Sequence, residues 1–204
     1  KKEILNSDSF ALISTRYDFS ILLSKYGRRD VIKIAQEHHH HNNDKKYINI
    51  LKHKYKHIDY LFALTESLKN DYTNFLKANK HTKILVVPNI LNPTNNIHSD
   101  LNNKNIISIS RLHKGKKIDE LINIFSQLKD KDTKLYIIGD GEEKENLKNL
   151  VLDLNLQDRV IMTGYLNKDE QLEYLKNSSV YAMTSISEGL PMVLLEAMSF
   201  GIPC

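Results

Sequence analysis

The chain has 204 residues, of which 41% are hydrophobic and 26% charged, which is typical of a soluble globular protein with one or two domains. No apolar run approaches the roughly 20 residues that span a bilayer, and the single cysteine, Cys204, excludes an internal disulfide, so the cytoplasm is the expected compartment. Residues 1–104 carry 17 Lys and Arg against 10 Asp and Glu, whereas residues 105–204 carry 12 against 15. The basic first half suits an anionic partner (a phosphorylated lipid, a membrane surface or nucleic acid) or an ordinary lysine-rich surface.

Apolar runs alternate with amphipathic stretches in the first half of the chain. Their period and length predict strands at 10–14, 31–35, 60–64 and 84–87. Helices are predicted between these strands, at 19–25, 47–57 and 68–78. Residues 89–104 are rich in Asn and poor in apolar side chains, which indicates a domain boundary. We therefore predict a first domain over 1–92 and a linker over 93–104.

The same alternation restarts after the linker. Strands are predicted at 106–110, 135–139, 160–164 and 180–184. Helices are predicted at 118–129, 142–154, 169–177 and 191–200. Strand–helix alternation predicts parallel sheets covered by helices. The fold class is therefore α/β, with part of one Rossmann-like domain followed by a second over 105–204, and we expect both domains to be incomplete.

Four loops follow the predicted strands of the second domain. They are Ser110–Leu112, Gly139–Gly141, Gly164–Tyr165 and Ser185–Pro191. Because ligands of parallel sheets bind beyond the carboxyl ends of the strands, we expect these loops to converge on one crevice. Tight turns alone would also explain the glycines, and Gly139–Gly141 lacks the GxGxxG spacing of dinucleotide sites.

The segment Glu188–Glu196 is the most informative part of the chain, with two carboxylates eight positions apart. Pro191 is predicted in the first turn of a helix, and Gly189 permits close approach to the backbone. The amides that begin the helix, including that of Met192, can bind an anion. The pattern suits a ligand that carries both phosphate and sugar hydroxyls. A capped helix with two solvated glutamates explains the segment equally well when it is taken alone.

Arg111 and Lys116 form a second candidate group. Arginine binds phosphate oxygens in a fork and lysine adds a mobile charge, so the pair suits a diphosphate whose charge builds up as a bond breaks. A solvated basic surface is the alternative. Lys114 competes with Lys116 for this role, although the spacing from Arg111 favours Lys116.

These motifs resemble the family 4 retaining glycosyltransferases of the GT-B fold. The resemblance rests on Ser110–Leu112 with Lys116 and Asp119–Ile122, on Tyr136–Gly141, on Val160–Gly164, on Val87–Asn89 and above all on Glu188–Glu196. The chain departs from the family at Ser110 and Lys117, where glycine is usual. The resemblance implies two Rossmann-like domains, of which the first holds the acceptor and the second a nucleotide-diphosphate sugar, with UDP favoured over GDP.

The resemblance also implies roles for single residues. Arg111 and Lys116 would hold the diphosphate, and Glu188 would bind the donor-sugar hydroxyls. Glu196 would bind the two ribose hydroxyls in a bidentate manner. The remaining donor-site positions are Gly139, Gly164, Tyr165, Gly189, Leu190, Pro191 and Met192. No metal and no cofactor besides the nucleotide sugar would be needed, since the two cations and the helix N-terminus neutralise the diphosphate. The sugar would be transferred with retention of its anomeric configuration, without an enzyme nucleophile.

Four consecutive histidines, His38 to His41, follow the predicted strand at 31–35. Consecutive residues rarely converge on one metal ion, so we do not predict a metal site. His38 matches a family histidine that faces the donor sugar or the acceptor, and it joins Glu188, Arg111 and Lys116 as a predicted catalytic residue. We expect the other three histidines to lie in a solvated loop.

We therefore predict a hexosyltransferase that acts on a surface polysaccharide, a glycolipid or a teichoic-acid-type acceptor. It would be cytoplasmic, with peripheral contact to the inner membrane face as one option. Nucleic acid is not an expected partner, because the tyrosines of the basic half are spaced as core residues. The alternatives are a nucleotide-sugar-binding GT-B protein without turnover, a nucleotide-sugar epimerase and a phosphorylase.

Overall fold

The computed structural model describes residues 2–5, 7–38, 41–91, 98–99 and 101–204. They form two compact units. The first unit contains the residues up to Ile90 together with Ser187–Leu190, and the second contains Leu91–Ile186 and Pro191–Cys204. Residues 93–97 and 100 of the predicted linker lie outside the described residues.

The first unit is built on a parallel sheet with the strand order β1-β2-β3-β4. Its strands are β1 (Ala11–Ser14), β2 (Ile32–Gln36), β3 (Tyr60–Ala63) and β4 (Lys83–Val86). Its helices are α1 (Lys2–Leu5), α2 (Tyr17–Tyr26), α3 (Lys45–Lys54) and α4 (Glu66–Phe75). Two of these helices begin at side-chain caps, because Asp44 accepts from the amides of α3 and Thr65 from an amide of α4. Leu51, Leu61 and Tyr72 lie in the buried core between the sheet and the helices.

The second unit contains another parallel sheet, with the order β7-β6-β5-β8. Its strands are β5 (Asn105–Ile109), β6 (Lys134–Ile138), β7 (Val160–Gly164) and β8 (Val180–Tyr181). Its helices are α5 (Ile118–Ser126), α6 (Lys144–Asp153), α7 (Lys168–Lys176) and α8 (Met192–Ser199), with a short 3-10 helix at Lys114–Lys116. Residues of β5 and β6 pack on one face with Leu121 and Phe125, and on the other with Tyr181 and Phe200. The predicted α/β fold class of the GT-B type is confirmed, with parallel sheets throughout.

The strand order reverses direction at β5. The chain proceeds from β5 to β6 and β7 on one side, and it then returns to β8 on the other side of β5. In open parallel sheets, the crevice outside the carboxyl ends at such a reversal is the usual ligand site. Arg111 follows β5, so it lies at this position.

Several predicted element bounds are wrong in detail. Strand β8 has two residues rather than the five predicted over 180–184. The predicted helix at 118–129 ends at Ser126. Pro191 is the N-cap of α8 and not part of its first turn, because its ψ of 119° is extended and the helix begins at Met192. The sequence did not predict α1 or the 3-10 helix, since segments this short carry no detectable period.

Candidate functional site

Three of the predicted strand-end loops lie side by side in the second unit. The amide of Ser110, after β5, donates to the carbonyl of Ile138 at 3.0 Å, and the amide of Leu112 donates to that of Asp140 at 2.9 Å. The amide of Gly139, after β6, donates to the carbonyl of Gly164 at 2.9 Å. The structure therefore brings Ser110, Gly139 and Gly164 to one edge of the sheet.

Gly139 and Gly164 are glycines for different reasons. At Gly139 the φ of 146° disfavours other residues, and a Cβ atom would lie 1.8 Å from the carbonyl oxygen of Ser110. At Gly164 the φ of 79° is equally unusual, but the nearest atom to a Cβ would be Lys144 Nζ at 3.8 Å. Close packing of the loops therefore requires a glycine at 139, whereas only the backbone conformation requires one at 164. Tyr165 follows β7 with its side chain largely exposed.

The loop with the candidate cations is held by the segment after β8. Thr184 donates from Oγ1 to the carbonyl oxygens of Lys116 and Lys117 at 3.0 and 2.8 Å, and the amide of Ile186 donates to the carbonyl of Gly115 at 3.0 Å. Lys117 adopts the left-handed conformation with a φ of 53°. These bonds fix the turn that carries Lys116. Arg111, in the same connection between β5 and α5, is exposed.

Glu196 lies in the middle of α8 and exposes 13% of its side chain. Its Oε1 forms an ion pair with Lys168 Nζ, at the first residue of α7. Its Oε2 is buried and has no hydrogen-bond partner among the described residues. An unsatisfied buried oxygen costs about 1–3 kcal/mol. The atom is therefore placed to accept a hydrogen bond from a ligand hydroxyl.

Ser110, the residue before Arg111, also has a buried side-chain oxygen without a hydrogen-bond partner among the described residues. Within the described part of the chain, three buried side-chain atoms have no hydrogen-bond partner, namely Ser110 Oγ, Arg159 Nη1 and Glu196 Oε2. Two of the three belong to the region that the sequence predicts as a donor site. Native proteins satisfy most buried polar atoms, so their concentration there favours a ligand.

A third cation at these loops was missed by the sequence analysis. Lys144, the first residue of α6, bonds Asp140 at 2.6 Å, and this hydrogen bond lowers the pKa of the Asp140 carboxyl below its usual value. Asp140 lies between the two glycines of the β6 loop. The two residues are four apart in the sequence, so an ion pair between the β6 loop and the start of α6 was a possibility that the sequence offered.

The segment Ser187–Leu190 belongs to the first unit. Asn89 donates from Nδ2 to the carbonyl of Leu190 at 3.0 Å. A Cβ atom at Gly189 would lie 2.7 Å from the carbonyl oxygen of His38. The structure therefore brings Gly189, Leu190 and His38 together, as the sequence could not show. Glu188 lies half-buried in the same segment, whereas Pro191, Met192 and Glu196 belong to the second unit.

A buried carboxylate lies directly before His38. Glu37 is 2% exposed and accepts from the hydroxyls of Tyr55 at 2.5 Å, Tyr47 at 2.9 Å and Ser20 at 3.3 Å. Burial raises the pKa of the Tyr47 and Tyr55 hydroxyls above the ordinary value, and the Glu37 charge raises it further. This network joins α2, β2 and the α3 region around the backbone that carries His38.

The expectation of a solvated loop is wrong for His41. Its side chain is 5% exposed, its Nε2 lies 2.9 Å from Asp71 Oδ2, and its Nδ1 accepts from the amide of Asn43 at 3.0 Å. These bonds fit the tautomer protonated at Nε2. The ring packs edge-on against Phe75 at 4.9 Å, so His41 is a core residue. His38 is half-buried, and His39 and His40 lie outside the described residues.

Two classes of feature are missing from the described residues. They contain no cluster of three or more His, Cys, Asp or Glu side chains that could hold a metal ion. They also contain no helix with the length and apolar character needed to cross a bilayer.

The comparisons with known proteins agree with the fold. The sequence profile described as Glycosyl transferases group 1 matches residues 94–204. The chain belongs to this family.

Individual relatives are longer than the chain. An uncharacterized glycosyltransferase of Haemophilus influenzae is 38% identical over 148 residues, which are 71% of this chain and 40% of the relative. The apo structure of the lipopolysaccharide outer core galactosyltransferase WaaB is 23% identical with a TM-score of 0.77, covering 100% of this chain and 57% of WaaB. A TarM variant of S. aureus, in complex with fondaparinux, α-GlcNAc-glycerol and UDP, is 25% identical with a TM-score of 0.69, covering 92% of this chain and 44% of TarM.

Proposed function

We propose that the protein is a retaining glycosyltransferase of family 4, which moves a hexose from a nucleotide-diphosphate sugar to a surface-polysaccharide, glycolipid or teichoic-acid-type acceptor. Membership of the glycosyl transferases group 1 family supports the reaction class. The likeness to WaaB, a lipopolysaccharide outer core galactosyltransferase, supports a surface-glycolipid acceptor, and the UDP bound to TarM supports a UDP-sugar donor.

The single observation that carries the donor site is the unsatisfied Oε2 of Glu196 on α8. The sequence places this carboxylate eight residues after Glu188, in the motif that suits sugar hydroxyls. A ligand hydroxyl that donates to this oxygen stabilises the complex, because the oxygen already lost its hydrogen bonds to water when the protein folded. A ribose supplies two such hydroxyls.

The leaving diphosphate would be stabilised by cations and backbone amides. Arg111 lies at the strand reversal, and Lys116 is on the turn that Thr184 holds. Met192 begins α8, whose N-terminal amides favour an anion. Such preorganised charges act where negative charge develops, so the proposed reaction needs no metal ion.

The first unit would bind the acceptor, with His38 at the reacting end. The backbone carbonyl of His38 lies beside Gly189, next to Glu188 in the chain, and this proximity supports the proposed role. Glu188 would bind the hydroxyls of the transferred sugar, and Gly189 and Leu190 would approach it by their backbone. The basic first half would favour a phosphorylated, lipid-linked acceptor at the inner face of the cell membrane, and the protein would act from the cytoplasm.

The test is calorimetric binding of UDP, GDP and ADP to the protein. We expect UDP to bind selectively, and Arg111→Ala to weaken it by about 10–100-fold through the loss of a charge-assisted contact. Lys148→Ala is the matched control, since Lys148 is a solvated cation paired with Glu145 on α6, and it should bind UDP like the wild type. A folded protein that binds no nucleotide would refute the proposal.

Turnover separates the proposed enzyme from a protein that only binds. The protein would be incubated with UDP-sugars and membrane glycolipid extracts, and transfer of labelled sugar would be measured. Nucleotide binding without transfer to any acceptor or water would favour the nucleotide-sugar-binding alternative. Conversion of the UDP-sugar into its epimer would favour the epimerase.

A further inference from the structure

Lys168 is a charged residue of the second unit to which no motif assigns a role. It is the first residue of α7, and its ammonium forms an ion pair with Glu196 Oε1 on α8. The lysine side chain is 53% exposed, whereas that of Glu196 is 13% exposed. The two residues are far apart in sequence, so only the tertiary structure joins them.

The position of Lys168 is set by a local structure. Asn167 accepts from the amide of Glu170 at 3.0 Å, and Glu170 accepts from the amide of Asn167 at 2.8 Å. This capping box fixes the residue at which α7 begins. Helix α7 follows the loop after β7, one of the loops at the candidate site, so Lys168 starts from the same edge of the sheet as Gly164 and Tyr165.

The ion pair involves only one of the two carboxylate oxygens of Glu196. Oε1 is bound to Lys168, while Oε2 is buried and lacks a partner among the described residues. A buried carboxylate needs a compensating charge, and Lys168 supplies it without occupying both oxygens. This arrangement differs from the expectation that Glu196 binds the ribose through both oxygens.

We propose that Lys168 is a positioning residue of the nucleotide site. It holds the carboxylate of Glu196 in one orientation through Oε1, so that Oε2 accepts one ribose hydroxyl. This inference rests on the proposed function, because it assumes that Glu196 binds the ribose of the donor. Lys168 would thus affect recognition of the ribose, through Glu196, and would not contact the diphosphate.

The experiment is calorimetric titration of UDP into the wild-type protein and Lys168 variants. Lys168→Met keeps the length of the side chain but removes its charge, and we expect it to weaken UDP binding about tenfold, the effect of one hydrogen bond to a charged group. Lys168→Arg retains a cationic donor and should bind UDP within about threefold of the wild type. Lys176→Met is the matched control, because Lys176 also lies on α7 and pairs with a glutamate, Glu173; its affinity should be unchanged.

A double-mutant cycle tests whether Lys168 acts through Glu196. In a Glu196→Gln background, Lys168→Met should cause no further loss of UDP affinity. The loss should also disappear with dideoxy-UDP, which lacks both ribose hydroxyls. The inference is overturned if Lys168→Met weakens UDP binding about tenfold in the Glu196→Gln background as well, or weakens dideoxy-UDP binding by the same factor. Either result would show that Lys168 contacts the diphosphate directly.

The outcomes separate this inference from the proposed function. If the wild-type protein binds no nucleotide, the proposed function fails. If the wild type binds UDP and Lys168→Met binds it equally well, the inference alone fails. Circular dichroism of each variant shows whether it is folded, and if Lys168→Met is not, Lys168→Gln replaces it in the same cycle.

Discussion

Replacing Gly139 by alanine tests the packing of the strand-end loops. Its φ of 146° is costly for an L-residue, by about 1–2 kcal/mol. In addition, the new Cβ would lie 1.8 Å from the carbonyl oxygen of Ser110. No rotamer relieves a clash between a Cβ and the backbone, and overpacking of this kind costs about 1–3 kcal/mol more. We expect Gly139→Ala to lower the free energy of unfolding by about 2–5 kcal/mol.

Gly164→Ala is the matched control for this change. Gly164 also has a positive φ, of 79°, but a Cβ there would meet only the mobile end of Lys144 at 3.8 Å. Gly164→Ala should therefore lower the free energy of unfolding only through the unfavourable backbone conformation, by about 1–2 kcal/mol. The assay is urea unfolding followed by far-ultraviolet circular dichroism, with the slopes compared between variants.

The same pair of variants reports on the site. Relief of the clash requires the Ser110 carbonyl to move, and Arg111 follows it directly in the chain. We therefore expect Gly139→Ala to lower UDP affinity, and Gly164→Ala to lower it less. Equal losses of stability in the two variants would refute the reasoning that the Ser110 contact adds to the cost of the backbone conformation at 139.

Four further results are expected. His38→Ala should lower kcat by about 100-fold while leaving the UDP dissociation constant unchanged, and His53→Ala, on the exposed side of α3, should lower neither; a change in UDP affinity alone would contradict the role of His38. Glu37→Gln should reduce the free energy of unfolding in urea by about 1–3 kcal/mol, because it replaces an acceptor shared by three hydroxyls, and unchanged stability would refute this. The pKa of Tyr55 is raised by burial, so the folded state keeps the proton that the unfolded state loses near pH 10; stability should therefore be complete below about pH 10 and decline above it. Phenolate absorbance should rise in two stages, first from exposed tyrosines such as Tyr165 and then, together with unfolding, from the buried ones; a single stage before unfolding would contradict this. Because side-chain cations are proposed to neutralise the diphosphate, EDTA should leave the transfer rate unchanged, and a loss restored by magnesium would show that a metal takes part.

The elements of this protein follow from local patterns in its sequence. The predicted strand Val160–Gly164 has the observed bounds, because an apolar run between turn residues is a signal contained in the run itself. Helix ends were predicted less well, since they depend on particular caps. Helix α3 begins after Asp44, which accepts from two amides, and α8 begins after Pro191, whose ψ is extended.

The candidate donor site was predicted in part for the same reason. Arg111 and Gly139 come shortly after strands and Gly164 ends one, so recognition of the strands was enough to place them at one edge of a parallel sheet. Glu196 was named from its motif. Its burial and its unsatisfied Oε2 were not predictable, because both depend on the packing of α8 within the second unit.

The sequence by itself therefore determined the α/β class, the order of elements and the segments that carry the candidate residues. The tertiary structure alone decided the strand order β7-β6-β5-β8, with its reversal beside Arg111. It also decided the pairing of Lys168 with Glu196 and the grouping of Ser20, Tyr47 and Tyr55 around Glu37. The physical reason is the range of the interactions. Periodicity and capping act between neighbours along the chain, whereas strand order and buried polar networks join residues from separate elements, whose side chains meet only after the sheet and its helices have packed.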